Sequence, residues 1–200
     1  QYPGFKLEHS TATYDLYLPM EGQRTVILTW YGFRETMIPD VDELMTMAQQ
    51  NDWLDFNIII DGTRSRGGSA GAYAMQRFTS TPFKTTFGNL RISDVVPIFT
   101  REKRDEVSEG GSLDSGVPEA MDDGTWLMDW LDTDVADSVS SRATYSNSVP
   151  FKLAHAPKDS DGILQPAIHH FRGKMVAFFV PRRGSHLDQF ASIIKDNSIG

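Results

Sequence analysis

Chemistry is first suggested at the joint inside KMVAFFVPRRGSHLDQFASIIKDN, Lys174 to Asn197. An apolar run stops at Pro181, and helical spacing resumes after Ser185. A strand handing over to a helix leaves unpaired backbone N–H groups and the positive end of the helix dipole around the first helical residues. A hydroxyl placed there serves either as an N-cap or as a nucleophile. The ring of His186 follows Ser185 too directly to take its proton, whereas the His186 backbone N–H is well placed. A second joint, DGTRSRGGSAGAYAMQRF from Asp61, carries a basic, glycine-rich turn into a helix. It matches neither phosphate-binding pattern, GxxxxGK[ST] or GxGxxG. Three readings stand for it: a tight turn with glycines at positive φ, a phosphate cradle, or Gly67 and Gly68 presenting N–H groups to a developing oxyanion.

Candidate general bases are His155 and the neighbours His169 and His170. Adjacent strand residues point to opposite faces, so only one of that pair can share a site. Each is equally readable as a packed or solvated histidine. The GxSxG elbow of α/β-hydrolases is missing. The acidic stretches DWLDTDVAD and KDSDG lack EF-hand spacing, and no His pair stands at metal spacing with a carboxylate. Solvated helix face and turn explain both, and no metal or cofactor is expected.

Certain elements must position these residues. TVILTWYGF, Thr25 to Phe33, clusters β-branched and aromatic residues without charge and reads as a buried strand. DVDELMTMAQQ follows with Val41, Leu44, Met45 and Ala48 on one helical face and Asp40 and Glu43 at capping-box spacing. FNIIID, Phe56 to Asp61, is a second apolar strand, so the three form a βαβ unit with a parallel pair. Ser69 is the expected N-cap of a helix running through Phe78. Two helix starts then face one edge of one sheet, the edge where open α/β sheets bind ligands. Between Glu102 and Asp137 twelve Asp or Glu face only Lys103 and Arg104, which favours a surface segment. Within it Trp126, Leu127, Trp130 and Leu131 share a helical face, packed on the body or over a cleft.

With 200 residues, 40% of them apolar and 11% aromatic, a single sizeable core is attainable. One α/β domain over residues 1–200, with an insertion at about 101–145, is the expected organisation. The net charge of −8 speaks against general affinity for nucleic acid or anionic membranes. The absence of cysteine excludes disulfides, thiolate metal sites and a cysteine nucleophile.

Three blocks together resemble the tail-specific, or C-terminal processing, serine proteases (peptidase family S41), more closely their fungal secreted-type branch. The block from Arg24 to Phe78 is similar to that family's strand, helix, strand and D-x-R-x-N-x-G-G turn, here Asp61 to Gly68. FRGKMVAFFVPRRGSHLDQFASIIKDN is similar to its nucleophile block, with Ser185 on the nucleophile and Asp188 three places on. The order of the blocks, with a variable insertion between them, is also the family's. The resemblance implies a crotonase-like (ClpP-like) ββα core with a mostly parallel sheet. It implies a serine endopeptidase that works through Ser185 and an oxyanion hole from the N–H groups of Gly67 or Gly68 and His186, and it implies a secreted protein. His186 and Leu187 replace small residues, and Ser65 replaces the usual Asn. Relatives take the base from a Lys on a later strand or a His far upstream; Lys195 lies on the same helix as the serine, and no base is carried over. The implied partners are a peptide or protein substrate and a second polypeptide or further segment supplying that base. A non-catalytic domain of the same fold, holding an apolar ligand or peptide beneath the Trp126/Trp130 helix, is the alternative.

Overall fold

The computed structural model describes residues 2–34, 36–68, 70–108, 125–150, 162–180, 184 and 186–200, with the side chains of 106, 107, 125–127, 149, 150 and 186 outside that description. In chain order the elements are β1 (Phe5–Ser10), β2 (Tyr14–Pro19), β3 (Thr25–Trp30), α1 (Met37–Gln50), β4 (Asn57–Asp61), α2 (Gly71–Phe78), β5 (Phe83–Lys84), β6 (Phe87–Gly88), α3 (Val96–Ser108), α4 (Thr125–Trp130) running through a π-helical stretch (Leu131–Val135) into α5 (Ala136–Ser140), β7 (Val149–Pro150), β8 (Ile163–Leu164), β9 (Met175–Phe178) and α6 (His186–Asp196). Two compact units result: Gln1–Lys84 with Ile163–Gly200, and Thr85–Gly162. Among the described residues no helix is long and apolar enough to cross a membrane.

The first unit is built on a five-stranded sheet in the order β1-β2-β3-β4-β9. β3, β4 and β9 run parallel, in the register Leu28↔Ile60↔Ala177, as the strand–helix–strand pattern requires. The expectation of a mostly parallel sheet holds only for these three strands. β1 and β2 pair antiparallel to each other, and β2 antiparallel to β3. Short turns join them, and short turns permit only antiparallel neighbours. Alternation along YDLYLP and TVILTW sends Tyr14, Leu16, Leu28 and Trp30 to one face, all fully buried. Ile58, Ile60 and Met175 continue that face, and Trp30 sets its ring edge-on against Phe78 of α2 at 5.6 Å.

α1 buries Val41, Leu44, Met45 and Ala48, the stripe read from the sequence. Its start differs: Thr36 occupies the N-cap position without a side-chain cap, and Asp40 lies inside the first turn. Met37 and Ile38 are both buried, and Pro39 is tolerated in a first turn, so burial carries the helix start upstream of the capping-box position. α2 ends at Phe78 as expected but has Ala70, not Ser69, at its N-cap; the Ala70 N–H donates to the Phe33 carbonyl at 3.0 Å. Ser69 lies outside the described residues.

The second unit has a small core of Val96, Trp130, Leu131 and Val135, flanked by Leu90, Ile92, Phe99 and Met128. Leu90 and Ser146 exchange two hydrogen bonds of 2.9 Å, from the Leu90 N–H to the Ser146 Oγ and from the Ser146 N–H to the Leu90 carbonyl. Asp132 pairs with Arg104, and Asp134 accepts from Asn147 at 2.8 Å, so part of the acidic stretch is taken up in local pairs.

Candidate active site

Three parallel strands end at one edge, and the loops leaving them are joined there. From β3 the chain continues to Phe33, whose N–H donates to the Gly67 carbonyl at 3.3 Å and which forms a parallel bridge with Gly68. The loop after β4 is built on local bonds: Ser65 N–H to the Gly62 carbonyl at 2.9 Å and Arg66 N–H to the Tyr31 carbonyl at 3.0 Å. At the end of β9, the Phe178 carbonyl accepts from the Gly62 N–H at 2.9 Å. One side chain ties these loops to α6. Phe190, fully buried in its second turn, packs on Phe33 with ring centroids 4.8 Å apart and on Phe179 at 6.1 Å.

Gly68 is required by packing. A Cβ at that position would sit 2.1 Å from both the carbonyl carbon and the oxygen of Phe33, well inside van der Waals contact. The turn is therefore pressed against backbone, where nothing can give way. Among the described residues the N–H groups of Gly67 and Gly68 have no backbone partner, and the first N–H groups of α6 lack one by helix geometry. Asp188 lies in the first turn of α6, where a carboxylate complements the dipole, and its Oδ2 would stand 3.3 Å from a Cβ at Gly184.

Of the residues singled out in the sequence, Gly67 and Gly68 lie in the bend after β4, and the His186 backbone opens α6. Ser185 lies outside the described residues, between Gly184 and His186, as do His155 and the His186 side chain. His169 and His170 are not on a strand, so the opposite-face argument does not apply to them. His169 is exposed, and His170 bonds through Nδ1 to the Ala167 carbonyl at 2.7 Å. Lys195 is exposed in the last turn of α6, roughly 15 Å along the axis from its start. Trp130 is absorbed into the core of its own unit. Sequence reasoning passed over a group of tyrosines and carboxylates on the opposite sheet face, contributed by Tyr2, Asp15, Tyr31 and Asp61. The signal was present in YDLYLP, whose polar residues fall at every second position.

No family model and no curated protein matches the chain. Solved structures do match. The chain shares its fold with mature CPAF. CPAF is a chlamydial serine protease. Its mature form aligns over 95% of this chain and 40% of its own length, with a TM-score of 0.64 at 13% identity. Mature CPAF complexed with lactacystin gives a TM-score of 0.60 at 13% identity, over 92% of this chain and 37% of that one. A serine-to-alanine mutant of CPAF gives 0.58, again at 13% identity, over 98% and 38%. The chain thus spans about two-fifths of the length of CPAF. At this identity the likeness is one of fold alone, and it does not single out the fungal branch.

Proposed function

We propose that this chain is the core of a serine peptidase. The observation that carries the reading is the joining of two loop-to-helix joints, far apart in sequence, through Phe33 and Phe190 at one end of three parallel strands. The CPAF-like fold agrees with it. In this reading the Ser185 Oγ attacks a peptide carbonyl carbon while its proton passes to a base and then to the leaving amine. The amides of Gly67 or Gly68 and of His186 hold the tetrahedral oxyanion. Water then cleaves the acyl-enzyme, releasing the acid and restoring the Ser185 hydroxyl. The base is a His or Lys from a further segment or a second polypeptide.

Incubation of the native protein, with any co-purifying polypeptide, with a fluorophosphonate probe is the test. Labelling of the wild type that disappears in Ser185→Ala is expected. A native preparation that takes no label overturns the reading. Peptide mapping of the adduct to any residue other than Ser185 also overturns it.

A further inference from the structure

The sheet face opposite the helices carries a polar pocket of about 190 Å³. β2 supplies Asp15 and Tyr17, β3 and the residue after it supply Thr29 and Tyr31, β4 ends in Asp61, and Tyr2, Thr63 and Arg64 complete the wall. All come from the first unit. The pocket adjoins the loop of the candidate active site, since the Tyr31 carbonyl holds the Arg66 N–H.

The direction of the hydrogen bonds decides what this pocket offers a ligand. The Tyr31 hydroxyl donates to Asp15 Oδ2 at 2.6 Å, and the Ser10 hydroxyl donates to Asp15 Oδ1. The Tyr2 hydroxyl donates to Asp61 Oδ2 at 2.5 Å, with Thr29 Oγ1 2.9 Å from the phenol oxygen. The Thr63 hydroxyl and N–H both go to Asp61 Oδ1, at 2.6 and 3.0 Å. Hydroxyl protons thus point at carboxylates, and what remains for the cavity is oxygen lone pairs and phenol rings. Of the named wall residues only Tyr17 and Arg64 keep donors to offer.

The charges reinforce this. Burial works to raise the Asp61 carboxyl, but the bonds from Thr63 and Tyr2, with Arg64 nearby, outweigh it and hold it below the usual carboxylate range. The Tyr31 phenol is pushed up to about 12, chiefly by its bond to Asp15 and then by burial. A polyol needs donors as well as acceptors, and an anion meets two carboxylates. A compact cation rich in N–H finds acceptors, charge and aromatic rings together.

We propose that this pocket binds a compact organic cation, an ammonium or guanidinium group such as a Lys or Arg side chain of a peptide carries. The inference does not depend on hydrolysis, so binding is measured in the Ser185→Ala chain as well as in the wild type. Titration calorimetry with agmatine, with a blocked Gly-Arg-Gly peptide and with its norleucine counterpart is expected to show binding of the first two only. Agmatine without the peptide would restrict the site to free small amines and overturn the peptide assignment. Asp15→Asn and Asp61→Asn should each weaken agmatine by about tenfold or more, as loss of a charge-assisted bond does. Arg64→Ala should strengthen it several-fold by removing a like charge. Asp61 also holds the Thr63 turn, so Asp15→Asn, on the strand, is the variant that decides if Asp61→Asn misfolds. Glucose or acetate binding as well as agmatine overturns the proposal. So do agmatine affinity unchanged in Asp15→Asn, weakening by Arg64→Ala, or absence of any agmatine heat into the low-millimolar range.

Discussion

The two compact units of this chain are organised on opposite plans. In the first, aromatic side chains distant in sequence meet: Tyr14 stacks on Trp30, Trp30 meets Phe33 and Phe78, and Phe33 meets Phe190. In the second, the buried apolar cluster among the described residues is four residues, three of them within one short helical stretch. Trp130 Nε1 there, like Trp30 Nε1 and the Tyr14 hydroxyl in the first unit, is buried without a hydrogen-bond partner among the described residues. Burial by large rings is worth far more than the same number of small contacts, and since both units carry an unpaired indole N–H the difference between them lies in the ring packing. Stability therefore concentrates in the sheet unit, which also carries both candidate sites.

Removing Phe190 strikes that contrast hardest. Phe190→Ala should destabilise the first unit by about 4 kcal/mol, because it deletes a ring that touches two loops at once. Thermal or urea unfolding read through the buried Trp30 checks it. A somewhat smaller loss, about 3 kcal/mol, is expected for Gly68→Ala, whose methyl group must displace the Phe33 carbonyl. Fluorophosphonate labelling should fall along with its melting temperature. Trp130→Phe sharpens the comparison from the other side. It should change stability by no more than about 1 kcal/mol, since lost packing is offset by removal of an orphaned donor. Hydrogen exchange should show any loosening at Leu131 and Val135 and none at Val26 or Ile58.

The smallest expected effect is a pH response. Asp61 is held below its ordinary value in the fold, so its contribution is present above the unfolded carboxylate pKa of about 3.9 and is lost as pH falls through the folded value. Because Asp61 is partly exposed, solvent screening should keep the contribution under about 1 kcal/mol. Comparison of wild-type and Asp61→Asn melting between pH 7 and pH 3 should show the two curves converging at the acid end.

What the sequence disclosed follows from where its signals are periodic. The β3–α1–β4 unit was readable because Val41, Leu44, Met45 and Ala48 fall at helical spacing between two apolar runs. One glycine pair and one serine, each between a strand and a helix, marked the joints that Phe33 and Phe190 bring together. The antiparallel β1–β2 pair was missed because FKLEHS is mostly exposed and carries little apolar signal. The helix starts were misplaced by four residues at Asp40 and by one at Ser69, because burial of Met37 and the bond from Ala70 to Phe33 override local capping chemistry. The phenol–carboxylate pocket could not be assembled from sequence at all. It unites Tyr2, Asp15, Tyr31 and Asp61 across three strands and a terminus, and only register brings them together.

Phe190 has one further implication. Since a single benzyl group wedges between the segments that follow β3 and β9, neither segment can shift without the other feeling it through the same ring. The spacing between the glycine bend and the head of the last helix is thereby governed from below, by the edges of one buried ring.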